Sequence, residues 1–363
     1  DHRDLHKEYR RQRQMCIRDS YRVLWTANIC AGAASWALIV TRGWMVWDMS
    51  ESSLYVGLVT FLAMIPRVLI PPFTGYLADR FERRKVMAIM FGLNLGYTVF
   101  LAGLIFSGLT EMWHLMILAF FDGSARAAQM PAGQALVPNI LPKDKLLNAV
   151  ALNMSTVHAT RLLGPLAVAP FLSIFNTDNG GLTGTDIAFF ICTGFYALSF
   201  FFALLIKNES TGKMSNQSFI KNLGEGLKFV HSTKPFLVVI GITALHCTLT
   251  MSFESVLPYF SVNKLGAEGS GVSYLMMCVG VGSLITSLIL AGAADEKLKG
   301  KLFYFYALLS GIAPILLSFS SNLYFSLFAT ILMGFSQTGF MIIVHTIIPV
   351  SYTHLTLPTI LLV

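Results

Sequence analysis

Charged residues are scarce in this sequence. Only 12% of its 363 residues are Asp, Glu, Lys or Arg, whereas 55% are hydrophobic and the mean hydropathy is +0.64. An ordinary soluble domain carries about 25% charged residues, so the composition excludes a soluble globular protein. Because a membrane-spanning helix needs about 20 apolar residues, the composition instead predicts an all-α, polytopic membrane protein with short loops.

Cysteine is also sparse, and the motifs of several enzyme classes are missing. The five cysteines are scattered without a C-x-x-C spacing, so the sequence suggests neither a disulfide framework nor a zinc site. Gly212-Lys213-Met214 lacks the upstream glycine and the following Ser or Thr of a nucleotide-binding loop. No H-E-x-x-H pattern or hydrolase nucleophile set occurs. We therefore expect a protein that is not an enzyme and uses no metal or cofactor.

Ten long apolar runs predict ten transmembrane helices. They lie at 21–47, 54–78, 85–107, 112–137, 147–173, 186–206, 235–261, 270–292, 302–318 and 322–350. Six of them precede a long polar stretch and four follow it. The predicted organisation is a six-helix N-terminal half at 21–206, a cytoplasmic central loop at 207–234 and a four-helix C-terminal half at 235–350.

Positive charge is distributed unevenly between the two ends of these helices. Of the 26 Lys and Arg residues, 21 fall on the side of the N-terminus, only Lys264 falls on the other side, and four lie inside spans. Since cytoplasmic segments retain Lys and Arg, we expect a multi-pass protein of the bacterial inner (plasma) membrane with a cytoplasmic N-terminus. This distribution explains the net charge of +7 without nucleic acid as a partner.

The central loop contains apolar residues at helical spacing. Phe219, Ile220, Leu223, Leu227 and Val230 follow one face of a helix, which predicts an amphipathic helix on the cytoplasmic face of the membrane. A solvated linker is the alternative interpretation.

A charged motif lies between the second and third predicted spans. The sequence from Gly75 to Lys85 reads GYLADRFERRK. It resembles the signature loop of the major facilitator superfamily, G-x-L-x-D-R-x-G-R-[KR], although Glu82 stands where the family usually has Gly. The matching residues are Gly75, Leu77, Asp79, Arg80, Arg83 and Arg84. The resemblance implies a transporter in which two six-helix halves surround a central cavity, with this loop acting in gating.

Further segments fit this resemblance. Gly292 to Asp295, followed by three lysines, is a weaker copy of the motif after the eighth span and indicates that the second half repeats the first. Gly164-Pro165 is similar to a helix-packing element of export antiporters. Segments that resemble the branch of siderophore (enterobactin) and drug exporters lie at 41–46, 131–138, 147–153 and 160–165.

The two ends of the chain do not fit the family. The resemblance implies twelve spans and ten are present, so we expect a product truncated after the tenth span. Residues 15–20 and 350–359 resemble translated sequencing-adaptor text. Residues 1–20 are therefore expected to be non-native or disordered, and residues 351–363 to be non-native.

Six ionisable residues are predicted to lie within the spans, where a charge costs about 3 kcal/mol. They are Arg42, Arg67, Asp122, Arg126, Arg161 and Glu254. Asp122 and Arg126 share a helix face, where they either make insertion tolerable or couple transport to protons. Arg42 is close to a span end and is expected to extend to the interface. Arg67, near mid-depth among prolines, is a cavity candidate.

The remaining candidates lie on the fifth and seventh spans. His158 and Arg161 share a helix face and are expected to line the cavity, although packing beside Gly164 is an alternative role. Glu254 is the only carboxylate predicted within the spans of the second half, which makes it a candidate proton carrier. His246 either relays protons or is simply hydrogen-bonded to the backbone.

The charges within the first half indicate the class of substrate. Four arginines against one aspartate would attract anions into a wet cavity. We predict a secondary transporter that exports a small anionic, siderophore-like or catecholate-like molecule by proton-coupled alternating access, as a monomer in the lipid bilayer. Multidrug efflux of lipophilic compounds and a non-transporting sensor or receptor on the same scaffold are the alternatives.

The charge distribution predicts where the motif loop lies. A reporter enzyme that is active only in the cytoplasm should be active when fused after Arg84 and inactive when fused after Leu109, because only the first loop carries clustered positive charge. The reverse pattern of reporter activity would contradict this topology.

Overall fold

The computed structural model describes most of the chain, and each secondary-structure element in the described part is helical. The described residues are 2–71, 73, 82–140, 146–174, 183–206, 231–232, 234–250, 252–267, 269–290 and 296–360. The α-helices are α1 His2–Ser50, α2 Ser53–Met64, α3 Pro66–Leu69, α4 Arg83–Phe106, α5 Met112–Ile140, α6 Leu146–Ile174, α7 Gly184–Leu204, α8 Lys234–Thr250, α9 Leu257–Leu265, α10 Gly269–Leu290, α11 Glu296–Ser318 and α12 Leu323–Ile360. A 3-10 helix, Ser252–Ser255, lies between α8 and α9.

Within the described residues, seven helical segments are long and apolar enough to cross a membrane. They are Ser20–Ser50, Arg83–Phe106, Gly184–Leu204, Leu237–Ser255, Gly269–Leu290, Gly300–Ser318 and Leu323–Val344. α5 and α6 have 29 residues each, which at 1.5 Å per residue exceeds a hydrocarbon core of about 30 Å. The predicted helical membrane bundle is confirmed, while the total of ten spans stays a prediction.

The first and last helices extend beyond the predicted spans. α1 begins at His2 and α12 ends at Ile360, so both helices continue through segments that are predicted to be non-native. The origin of those segments, and the division into halves at 21–206 and 235–350, stay predictions. The amphipathic helix predicted at 219–230 lies outside the described residues.

Two of the predicted spans are not continuous helices. The run at 54–78 contains α2 and then α3, because Pro66 begins α3 and has no N–H to continue the hydrogen-bond ladder of α2. The run at 235–261 is divided into α8, the 3-10 helix and α9, and Pro258 lies in the first turn after this break. At both places a proline lacks one main-chain donor, yet Ser53–Leu69 and Leu237–Ser255 each remain one apolar helical segment.

α1 is the central helix of the first half. It packs along α6 and α7, α7 also packs on α4, and α5 contacts both α4 and α2. Trp25 Nε1 donates a hydrogen bond of 2.7 Å to Thr156 Oγ1 between α1 and α6. The rings of Tyr97 on α4 and Tyr196 on α7 meet edge to face with centroids 6.2 Å apart. Polar as well as apolar side chains therefore join these helices.

α10 holds the second half together and also joins it to the first. It packs along α12, which in turn packs on α11, while α8 makes only slight contacts with α11 and α12. On its other side α10 packs along α6 of the first half. The α6–α10 contact is thus the longest interface between the two halves in the described part of the chain.

The close approach of α10 and α12 depends on glycine. A Cβ atom at Gly282 would collide with Ile331 O, and one at Gly334 would collide with Val279 O. Ser283 Oγ donates to Val279 O at 2.8 Å and also lies 3.3 Å from Gly334 O across the helix contact. Small residues that let backbones touch are a common basis of helix association in membranes.

The Gly334→Ala substitution tests this contact. The added methyl group has no space against Val279, and overpacking costs about 1–3 kcal/mol, so the variant should unfold in detergent several degrees below the unmodified protein. Gly311→Ala is the matched control, because a Cβ atom at Gly311 meets nothing within 4 Å. Equal melting temperatures for the two variants would contradict the close packing of α10 and α12.

Candidate functional site

Asp122 lies at the centre of a buried charge cluster in the first half. Its Oδ2 atom is 3.2 Å from Nη1 of Arg42 and 3.5 Å from Nη1 of Arg126. Its Oδ1 atom accepts a hydrogen bond of 2.8 Å from the hydroxyl of Tyr97. Helices α1, α4 and α5 bring these groups together. With Arg67 of α3, described below, these residues form what we call the arginine cluster.

The carboxylate of this cluster is fully buried. Asp122 exposes 0% of its surface and Arg42 exposes 4%, so the expectation that Arg42 extends to the membrane interface is wrong. The two residues are 80 positions apart, and sequence spacing alone gave no sign that they meet. A buried carboxylate is stable only when paired and hydrogen-bonded, and here Arg42, Arg126 and Tyr97 supply those contacts.

A small pocket of about 20 Å³ lies next to Arg42 and Arg126, the two arginines that contact Asp122. Arg42, Arg67 and Arg126 line it together, and apolar side chains of α1 and α2 form most of the remaining wall. Arg67 is exposed, and Arg126 repels it electrostatically. Three guanidinium groups therefore surround a space beside one carboxylate, and an anion placed there would relieve their mutual repulsion.

A second ion pair joins the two halves. Nη2 of Arg161 on α6 lies 2.9 Å from Oε1 of Glu254 in the 3-10 helix. The two side chains expose only 8% and 12% of their surface. The indole of Trp36 on α1 lies 4.8 Å from the guanidinium carbon of Arg161, within the range of a cation–π contact. His158, one turn before Arg161, is half-buried.

His246 lies in a polar cluster inside the second half. Its ring stacks on Phe340 of α12 with centroids 4.0 Å apart, and its Nδ1 atom is 3.2 Å from Ser310 Oγ of α11. Thr250 Oγ1 lies 3.3 Å from Nε2 and donates to the backbone carbonyl of His246. Three elements thus hold this ring in place, an arrangement typical of a packed histidine.

Gly164 lies where α6 crosses α1. A Cβ atom there would approach Ala33 O to 2.6 Å and Ala37 N to 2.7 Å, so the missing side chain lets the two backbones touch. Pro165 follows it within α6. The crossing is three residues after Arg161 and therefore fixes α6 close to the ion pair between the halves.

Only the end of the motif loop belongs to the described structure. Arg83 and Arg84 form the first turn of α4, and Glu82 at its N-cap forms an ion pair of 2.8 Å with Lys85. The motif residues outside the described ranges are Gly75, Leu77, Asp79 and Arg80. The gating role of this loop stays a prediction.

Sequence reasoning identified the charged residues and missed the neutral ones that position them. Tyr97 and Trp36 stand in apolar runs, where an aromatic residue gives no signal beyond ordinary packing. Gln337, which donates to Thr250 O at 2.7 Å, could have been found, because an amide in the middle of a span needs a partner.

A membrane bundle with a charged pocket in one half and a buried ion pair between the halves fits a secondary transporter for a small molecule, which the comparisons with known proteins support. The family model described as "Transmembrane secretion effector" matches residues 16–354. The chain therefore belongs to this family of the major facilitator superfamily, and the predicted resemblance to siderophore and drug exporters is confirmed. It is an integral, multi-pass membrane protein and not an enzyme.

Curated relatives are distant and cover most of the chain. The uncharacterized MFS-type transporter YfiS of Bacillus subtilis (strain 168) is 22% identical over 85% of this chain and 74% of its own. The staphyloferrin A transporter of Staphylococcus aureus (strain NCTC 8325 / PS 47) is 21% identical over 84% of this chain and 75% of its own. Macrolide efflux protein A of Streptococcus pyogenes is 20% identical over 67% of this chain, which spans 59% of that protein.

Solved structures share the fold at low sequence identity. The nucleoside transporter NupG aligns with a TM-score of 0.69 and 13% identity, over 89% of this chain and 81% of its own. A bacterial homolog of the human lysosomal transporter Spinster, in an inward-facing and unoccupied conformation, aligns with a TM-score of 0.63 and 13% identity, over 92% of this chain and 74% of its own.

Removing the carboxylate of the arginine cluster should destabilise the first half. Asp122→Asn leaves Arg42 and Arg126 buried beside a neutral group, which should cost about 3–5 kcal/mol in unfolding free energy. Adding Arg42→Gln should recover part of this loss, because the two changes share one interaction. Glu51→Gln, at an exposed position, is the control. Additive losses in the double variant would contradict direct pairing.

Proposed function

We propose that this protein is a proton-coupled exporter of a small anionic molecule. The observation that carries the proposal is the pocket shared by Arg42, Arg67 and Arg126 beside the single carboxylate of Asp122. If these arginines faced lipid or had only a structural role, each would be expected to pair with one carboxylate. An excess of guanidinium groups around this small pocket instead suits a substrate that brings its own negative charge.

The chemistry of the pocket narrows the substrate class. Guanidinium groups bind carboxylates and phenolates through paired N–H donors, and the apolar wall from Val46, Val56 and Val59 suits an organic body. A siderophore-like or catecholate-like anion has both features. One relative is named as a staphyloferrin A transporter, which supports this class.

Multidrug efflux is the second candidate function. Two relatives are named as a macrolide efflux protein and a multidrug resistance efflux pump, and the pocket wall is mostly apolar. This candidate predicts that neutral or cationic lipophilic compounds compete for transport, whereas the three arginines disfavour a cation on electrostatic grounds.

Proton coupling is assigned to the buried carboxylates. Asp122 and Glu254 are the candidates, because they are carboxylates that form ion pairs with arginine on another helix, and ionisable groups within a membrane commonly serve proton transfer. Transport then follows from rocking of the first half against the second about the α6–α10 contact. A cytoplasmic N-terminus in the bacterial plasma membrane would place Ser50, at the end of α1, on the outside. We expect the transporter to work as a monomer.

Flux in proteoliposomes tests the proposal. With an outward-directed gradient of 2,3-dihydroxybenzoate, flux should rise when a pH gradient is imposed, and Arg67→Gln should raise KM about tenfold, the loss of roughly 1.4 kcal/mol. Lys264→Gln, outside the pocket, is the control and should leave KM unchanged. Transport of ethidium in place of the benzoate would favour multidrug efflux.

The same assay separates a transporter from a receptor. A protein that binds 2,3-dihydroxybenzoate but shows no flux, with or without a pH gradient, would contradict the proposed export. Asp122→Asn should abolish the dependence on the pH gradient, and a variant that retains that dependence would remove Asp122 from proton coupling.

A further inference from the structure

The break between α8 and α9 lies where the two halves touch. At the last turn of α8, Gln337 of α12 donates to Thr250 O at 2.7 Å, which ties this helix to its own half. Beyond the break, the 3-10 helix contacts α2 and α9 contacts α1, both of the first half. The second part of this span is therefore in contact with both halves.

Several close contacts join the halves near this break. The ring of Tyr259 meets the ring of Trp47 edge to face with centroids 5.7 Å apart. A Cβ atom built on Gly57 of α2 would lie 4.0 Å from Cβ of Ser255. The Arg161–Glu254 pair lies in the same region, since Glu254 precedes Ser255. Loss of that pair would remove the ionic part of this contact and leave the apolar part.

Arg161 uses only part of its hydrogen-bonding capacity in this pair. Nη2 donates to Glu254 at 2.9 Å, while Nε is buried and has no hydrogen-bond partner. These two nitrogens form one side of the guanidinium fork, which can hold a carboxylate by two parallel hydrogen bonds. Trp36 covers the face of the group, so a ligand that replaces Glu254 would bind at this edge.

We propose that Arg161 is an anion-binding group at the contact between the halves, and that Glu254 occupies it until a carboxylate ligand takes its place. A free carboxylate that engages both Nε and Nη2 makes two charge-assisted hydrogen bonds where Glu254 makes one. It also satisfies a buried donor that is otherwise left unpaired, which is itself favourable. The ligand class is a small organic carboxylate.

Exchange at Arg161 changes the contact between the halves. Once the ligand holds Arg161, the 3-10 helix is no longer tied to α6 by Glu254, and its contacts with α2 lose their ionic support. The pair is thus a latch that the ligand releases. This inference rests on the proposed function only in taking an organic anion as ligand, and it assigns that ligand a residue outside the arginine cluster.

A disulfide between Gly57→Cys and Ser255→Cys reports the state of the latch. The 4.0 Å between the Cβ positions is within the range of natural disulfides. The full chain, with its five native cysteines replaced by Ala, is reconstituted in lipid, and the rate of oxidative crosslinking is measured. The probe is 2,3-dihydroxybenzoate, and the neutral amide 2,3-dihydroxybenzamide is the matched control.

The expected results separate Arg161 from the arginine cluster. The benzoate should slow crosslinking by at least about fivefold, the lower range of coupling between sites, and the amide should not. The Glu254→Gln variant should crosslink slowly even without ligand, because it lacks the ion pair with Arg161. Arg161→Lys should crosslink rapidly, because it keeps the charge facing Glu254, but should not respond to the benzoate, because it lacks the fork. Lys264→Gln, outside the pocket and the ion pair, should respond as the unmodified protein does.

Three results would overturn the inference. They are a benzoate response that survives Arg161→Lys, a response that is lost in Lys264→Gln, and absence of crosslinking in the unliganded protein. Because crosslinking needs no transport, failure of flux in proteoliposomes leaves this measurement interpretable, and failure of the latch leaves the proposed export open to its own test.

Discussion

The cost of placing charge in a medium without water is the constraint on which the rest of this structure depends. Asp122, Arg161 and Glu254 lie in helices that would insert more readily without them. Each is retained because another helix supplies its partner, at 3.2 Å between Arg42 and Asp122 and at 2.9 Å between Arg161 and Glu254. Pairing across helices makes assembly of the bundle a condition for burying these charges, and it ties electrostatics to the arrangement of the helices.

The two ion pairs act at different levels of the fold. The contact of Asp122 with Arg42 and Arg126 lies within the first half, where it fixes α1 against α5 and leaves a positively charged pocket beside it. The contact of Arg161 with Glu254 lies between the halves and depends on their relative position. A transporter needs both kinds of interaction. The substrate site has to keep its geometry while the halves move, and the interface between the halves has to allow that movement.

Much of this fold could be predicted from sequence, because membrane insertion depends on local composition. The apolar runs at 85–107 and 186–206 agree closely with α4 and α7. The charged residues within the spans could also be predicted, because a charge stands out in an apolar run. The pairing of Asp122 with Arg126 on one helix face was visible too. Partners on other helices were not, because Arg42 and Asp122 are 80 positions apart and Arg161 and Glu254 are 93 apart, and helix periodicity relates only residues within a few turns. The breaks at Pro66 and Pro258 were in the sequence, but an apolar run does not show whether a proline bends a helix or ends it.

Pro258 has a consequence for the place where the second ion pair forms. In a continuous helix its N–H would bond to the carbonyl oxygen four residues earlier, which belongs to Glu254, but proline has no N–H to give. The same residue therefore has a main-chain oxygen that Pro258 cannot satisfy and a carboxylate that bonds to Arg161. Because a ring closed through the backbone nitrogen cannot be rearranged by any ligand, the missing main-chain hydrogen bond beside Glu254 is covalently set, whatever partner its carboxylate has.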